Sequence, residues 1–144
     1  MSRLSDARAG APAATAVLPT RRYAVAVPEL DDLLAAAAQE FEPEIRRRLG
    51  GLLGGFLRAY LPQDWEFRTD RGVATLRVGA DGATSVRPGP SERPDVTVEI
   101  AYDRLARAIR TRGRSGADAP PPAVTTHTAK GRAAFDYLRG RLGL

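Results

Sequence analysis

The stretch Trp65–Glu66–Phe67–Arg68–Thr69–Asp70–Arg71–Gly72–Val73–Ala74–Thr75–Leu76–Arg77–Val78 decides the fold. Trp65, Phe67 and Thr69 alternate with Glu66, Arg68 and Asp70, so every second residue is apolar or β-prone. That period of two is the signature of a half-buried strand. Asp70, Arg71 and Gly72 supply turn chemistry, and Ala74, Leu76 and Val78 then alternate with Thr75 and Arg77. Two strands joined by so short a turn pair as an antiparallel hairpin.

Outward from the hairpin the pattern continues. After Asp81 and Gly82 a third strand is expected around Val86, and PGPSERP (88–94) is a loop. Val96, Val98 and Ile100 alternate with Thr97 and Glu99 in a fourth strand whose polar face is expected to stay wet. Repeated one-sided alternation implies a mostly antiparallel sheet with helices on its apolar face. Asp103 is expected to cap a short helix carrying Leu105, Ala106 and Ile109. The proline- and glycine-rich stretch 111–122 then reads as a mobile loop. A weak fifth strand over 124–129 leads into a closing helix with Phe135, Leu138 and Leu142 on one face.

Upstream of the hairpin, Pro43 divides two helical patterns. The first begins behind Glu29, Asp31 and Asp32, which favour the partial positive charge of a helix N-terminus. The second runs over 42–62 with Ile45, Leu49, Leu52, Leu53, Phe56, Leu57, Tyr60 and Leu61 on one face and Arg46, Arg47, Arg48 and Arg58 largely opposite. Its four glycines, Gly50, Gly51, Gly54 and Gly55, each cost up to about 1 kcal/mol in a helix. Close approach by another group is one compensating reason; a kink or an early helix end is the other. A short strand is expected at 23–27, and residues 1–22 read as a flexible tail, leaving 23–144 as one α+β domain with a five-stranded, mostly antiparallel sheet.

Composition removes several function classes. The chain of 144 residues has no cysteine and one histidine, so disulfides, thiolate ligands and a cysteine nucleophile are excluded, and no metal site or cofactor is expected. No run of about 20 apolar residues could span a bilayer. The charge of +5 rests on arginine, with Lys130 the only lysine, as GC-rich bacterial coding would also produce. Clustered basic residues interleaved with aromatics are lacking, so no specific nucleic-acid partner is expected. Arg107, Arg110, Arg112 and Arg114 gather near the 111–122 loop and could make transient membrane or protein contacts.

Catalytic chemistry finds no purchase. His127 is the natural proton shuttle by its ordinary pKa, yet it sits on a weak strand without a carboxylate partner in sequence, so a surface histidine is the plainer reading. Asp64 and Glu66 share a strand face only if the strand begins early, and a solvated pair is the plainer reading. Asp136 and Tyr137 fall on the surface and rim of the last helix. No serine lies in a GxSxG elbow, and the glycines at 50–55 lie in a helical pattern rather than between a strand and a helix N-terminus.

Three segments carry a family resemblance: VATLRVGADGATSVRPG (73–89), PDVTVEIAYDRLARAIRTRG (94–113) and TAKGRAAFDYLRGRL (128–142). Their strand, turn and helix order over roughly 49–144 resembles the sterol carrier protein type 2 domain. The chain departs from that pattern in its longer N-terminal part, its proline-rich loop and its low aromatic content. The resemblance implies a cytoplasmic carrier that binds and presents a lipid or other hydrophobic small molecule in an apolar tunnel between sheet and helices. Leu53, Phe56, Leu57, Trp65, Phe67, Ile109, Phe135 and Leu138 are the candidate lining, although each taken singly fits ordinary core packing. Two alternatives stand beside the carrier: a cyclase- or isomerase-type enzyme using the same cavity, and a protein-interaction module that dimerises through its N-terminal part.

Overall fold

The computed structural model describes residues 28–114 and 122–144. The strand expected at 23–27, the tail and most of the 111–122 loop lie outside the described residues. Helix α1 (Leu30–Leu49) leads through a turn to the short helix α2 (Gly54–Arg58). Strands β1 (Gln63–Thr69), β2 (Gly72–Val78) and β3 (Thr84–Pro88) form a meander. Then follow β4 (Val96–Glu99), helix α3 (Tyr102–Thr111), β5 (Ala123–Thr126) and helix α4 (Ala129–Leu142). No helix among the described residues is long and apolar enough to cross a membrane.

The sheet order is β3-β2-β1-β4-β5, with β1 and β4 parallel and the other pairs antiparallel. Register explains why the hairpin dominates the fold. Trp65 lies opposite Leu76 on one side and Val96 on the other, and Phe67 lies between Ala74 and Val98. These cross-strand rows make one apolar face, against which α1 contributes Leu30, Leu34, Ala37, Ala38 and Phe41, and α4 contributes Ala134 and Leu138. The α+β class and the largely antiparallel sheet expected from the sequence are present.

Four local expectations need correction. Pro43 does not end a helix: α1 runs through it. Proline lacks the N–H that the helix ladder uses, but Pro43 lies on the exposed side while Phe41 and Leu49 are buried beside it, so packing offsets the lost bond. The helix instead ends at the glycines. A Cβ at Gly54 would lie 1.8 Å from the Leu49 carbonyl oxygen, so the chain folds back on the end of α1 in a way that only glycine allows. The close approach is therefore at Gly54, by the chain's own backbone, whereas an added Cβ at Gly55 would meet nothing within 4 Å.

The polar face of the sheet is not wet at its centre. Glu66 is 2% exposed and Thr75 is also buried, because the 88–94 loop crosses that face, and Thr97 is buried with its hydroxyl against the His127 ring. Ser91 donates its backbone N–H to Glu66 and its hydroxyl to Asp64, and the Thr75 hydroxyl donates to the Gly89 carbonyl. Finally, α3 is capped from a distance. Its N-cap is Ala101 and the Tyr102 N–H donates to Asp70 Oδ1 at 2.8 Å, while Asp103 lies inside the first turn.

Candidate functional site

The break after Leu49 sets α2 at an angle to α1, above the end of the sheet where β1 begins. The wedge between them is an apolar cleft of about 260 Å³. Ile45, Arg48 and Leu49 line it from α1, Phe56 and Leu57 from α2, and Tyr60 and Leu61 from the turn that follows. Gln63 and Trp65 of β1 and Val78 of β2 form the floor, and Ala133, Ala134 and Tyr137 of α4 close the far side. Two alanines facing aromatic rings leave the space that larger side chains would fill.

Few polar atoms reach this wall, and several of them are engaged within the protein. Gln63 Oε1 accepts from the Trp65 indole N–H at 2.7 Å, which removes both groups from competition for a ligand. The Tyr137 hydroxyl donates to Glu44. Arg48 holds its guanidinium over the Tyr137 ring, 5.1 Å from its centroid, at the edge of the cleft. Beyond this edge lies a polar basin of about 470 Å³ that shares Arg48, Ala133 and Tyr137 and adds Glu44, Asp136, Gly140 and Arg141. Arg141 pairs there with Glu40 and Glu44 at 3.3 and 3.4 Å.

Tyr137 and Glu44 shift one another's titration. Burial, then the bond to the Glu44 carboxylate, pushes the Tyr137 phenol well above its ordinary value. The hydrogen bond from Tyr137, helped by Arg141 and Arg48, holds Glu44 below the usual carboxylate range. A lowered carboxylate stabilises the fold above its unfolded pKa and loses that contribution as pH falls through its folded one. A raised phenol behaves in the opposite sense, stabilising below its unfolded pKa and losing the contribution as pH rises. The melting-temperature advantage of the native chain over Tyr137→Phe is therefore expected to be widest between about pH 5 and 10 and to narrow on both sides. Melting curves of the two chains across pH check this, and an advantage independent of pH would contradict it.

Of the eight sequence candidates, the structure brings Phe56, Leu57 and Trp65 together in the cleft. Phe67 and Leu138 lie in the packed core with no exposure, and Leu53 faces solvent. Ile109 packs on the core from α3, and Phe135 lies half-buried on α4 under the Arg139 guanidinium. None of these five lines the cleft. The middle of the sheet–helix interface is filled by Phe41, Phe67, Leu76 and Leu138, so the open space lies at its edge. Ile45 and Leu49 belong to the same apolar stripe as the candidates and were legible as such, whereas the alanine pair of α4 gave no signal of its own.

The remaining candidates are tied into the chain. His127 is exposed, with Nε2 2.9 Å from the Thr97 hydroxyl. Strand β1 does begin early, so Asp64 and Glu66 share a face, but they are not a solvated pair: Arg77 bonds Asp64 at 2.8 Å and Arg68 bonds Glu66 at 2.6 Å. Arg112 pairs with Glu40 at 3.6 Å and Arg114 donates to the Thr111 carbonyl, while Arg107 and Arg110 are exposed on α3.

No protein-family model matches the chain, and no curated protein matches it. Among solved structures, it is similar to the inverting sec-alkylsulfatase Pisa1 from Pseudomonas sp., with 18% identity over 56% of this chain and a TM-score of 0.39; the chain spans 13% of that enzyme's length. A UbiJ-SCP2 ubiquinone synthesis protein is similar at 14% identity and a TM-score of 0.41, covering 72% of this chain and 96% of that one. Sterol Carrier Protein 2 Like 2 from Aedes aegypti is similar at 20% identity and a TM-score of 0.39, covering 73% and 98%. The last two carry sterol-carrier names; the likeness is one of outline, and any functional reading rests on the cleft itself.

Proposed function

We propose that the chain binds and presents a lipid or other hydrophobic small molecule, whose apolar part occupies the cleft between α1, α2 and α4. The observation that carries this reading is the wall: it is nearly all carbon, and the Gln63 carbonyl oxygen, the Trp65 indole N–H and the Tyr137 hydroxyl are already paired within the protein. Such a surface gains by excluding water and offers few donors or acceptors that an apolar ligand would leave unsatisfied. At about 260 Å³ the cleft is near the small end of ligand sites, which start at about 300 Å³. A longer ligand would extend its polar end into the basin below Arg48 and Arg141. The titratable side chains on the wall are Arg48, Tyr60 and Tyr137, and burial with the bond to Glu44 pushes the Tyr137 phenol away from neutrality.

Native mass spectrometry of the purified chain, followed by denaturing extraction, tests the proposal. An apolar molecule of defined mass is expected to travel with the protein and to be lost from Leu57→Asp, which puts a charge into the cleft wall. Circular dichroism verifies that this variant is folded. A bare mass that a panel of fatty acids, sterols and isoprenoids fails to shift would count against a carrier.

A further inference from the structure

The tip between α1 and α2 exposes apolar side chains that the rest of the fold does not cover. Leu52, Leu53 and Phe56 are 105%, 66% and 63% exposed, and they are the exposed large hydrophobic residues among those described. A single exposed leucine is ordinary, but three within five residues form a patch that calls for a partner. Around them stand Arg46, Arg47 and Arg48 at the end of α1 and Arg58 at the end of α2, all exposed. No aspartate or glutamate occurs from 45 to 63. Arg46 reaches Glu42 at 3.4 Å, whereas Arg47 and Arg58 have no carboxylate within ion-pair distance among the described residues.

Charge decides between occupants. A second copy seated on this tip by a two-fold contact would set arginine against arginine, because each subunit offers the same patch. An anionic bilayer satisfies both features together: leucine and phenylalanine enter the boundary between headgroups and acyl chains, while the arginine collar meets the phosphates. We infer that the Leu52, Leu53 and Phe56 tip, within its arginine collar, docks the protein on anionic membrane surfaces. Phe56 also lines the cleft, so docking places one wall of the cleft against the lipid. The inference is independent of whether the cleft holds a ligand.

Vesicle flotation of the full chain tests it, with phosphatidylcholine alone or mixed with phosphatidylglycerol. The protein is expected to float with the mixed vesicles, and roughly 10-fold less with neutral ones or at high salt, since screening weakens attraction between exposed charges. Leu52→Ser/Leu53→Ser, which touches no residue of the cleft, is expected to float about 10-fold less while keeping its binding of N-phenylnaphthylamine. Arg47→Ser/Arg58→Ser is expected to do the same. Failure to float with the mixed vesicles, equal flotation with neutral ones, or flotation that survives the leucine substitutions would overturn the inference. So would sedimentation showing a dimer that the leucine substitutions dissolve.

Discussion

A Gly131→Ala chain is expected to be destabilised by about 3 kcal/mol or more, although alanine is the better helix former. Gly131 lies in the first turn of α4, where its N–H donates to the Thr128 hydroxyl that caps the helix. Propensity alone would favour alanine by about 1 kcal/mol. Geometry reverses the sign. A Cβ there would stand 1.7 Å from the Asp95 carbonyl oxygen and 2.6 Å from its carbon, both backbone atoms that no rotamer change can move. Asp95 is itself held on several sides: its N–H donates to the Asp64 carbonyl, its carbonyl accepts from His127, and its carboxylate accepts from Asp64 N–H and the Thr128 hydroxyl. Relief would mean lifting α4 from the sheet. Gly140 in the same helix has nothing within 4 Å of its added Cβ, so Gly140→Ala is expected to stabilise by about 0.5–1 kcal/mol. Urea denaturation of both variants measures the contrast, and equal stabilities would show that α4 does not sit so close to β4.

Phe41→Ala is the second large effect, expected at about 3–5 kcal/mol. Phe41 is the point where α1 meets both β1 and α4. Its ring stands edge-on to Tyr137, with centroids 6.0 Å apart and planes at 89°, and 6.4 Å from Trp65, while Arg141 holds its guanidinium 5.3 Å from the ring centroid. Truncation removes the transfer free energy of a buried ring and leaves a cavity behind two residues of the cleft wall, which the helix on one side and the sheet on the other prevent from collapsing. Trp65, the single tryptophan, reports the change directly. Its emission should move to the red as water enters, and the denaturation midpoint should fall. Leu52→Ala at the exposed tip is the reference substitution, expected to stay within about 0.5 kcal/mol of the native chain. A Phe41→Ala chain as stable as that reference would mean that α1 is not anchored through this ring.

The hairpin, the fourth strand and the last helix were legible because each carries an uninterrupted period set by one buried face. Trp65, Phe67, Ala74, Leu76, Val96 and Val98 alternate in the sequence because they alternate in the sheet. The failures came where a local signal met a distant neighbour. Pro43 reads as a stop, yet flanking residues packed on the core carry the helix past it. The apolar stripe of residues 42–62 reads as one helix face, but Gly54 folds the chain onto Leu49 and turns Leu52, Leu53 and Phe56 outward. Glu66 and Thr97 read as solvated because nothing in the strands themselves announces that the 88–94 loop lies across Glu66 or that His127 meets Thr97. The cleft was legible only in part for the same reason. Phe56, Leu57 and Trp65 are close in sequence, whereas Ala133, Ala134 and Tyr137 join them only once α4 is placed beside α2.

Trp65 lies on the cleft floor, buried and bonded to Gln63, and N-phenylnaphthylamine absorbs where tryptophan emits. Titrating this apolar probe into the native chain and into Ala133→Phe, whose added ring would fill the cleft from α4, therefore tests ligand binding most directly. The account predicts saturable quenching of Trp65 emission by the native chain's bound probe, and affinity lower by roughly 10-fold or more in Ala133→Phe, a loss equivalent to about 1.4 kcal/mol or more. Quenching that never saturates, or that the added ring leaves unchanged, would contradict the cleft as the binding site.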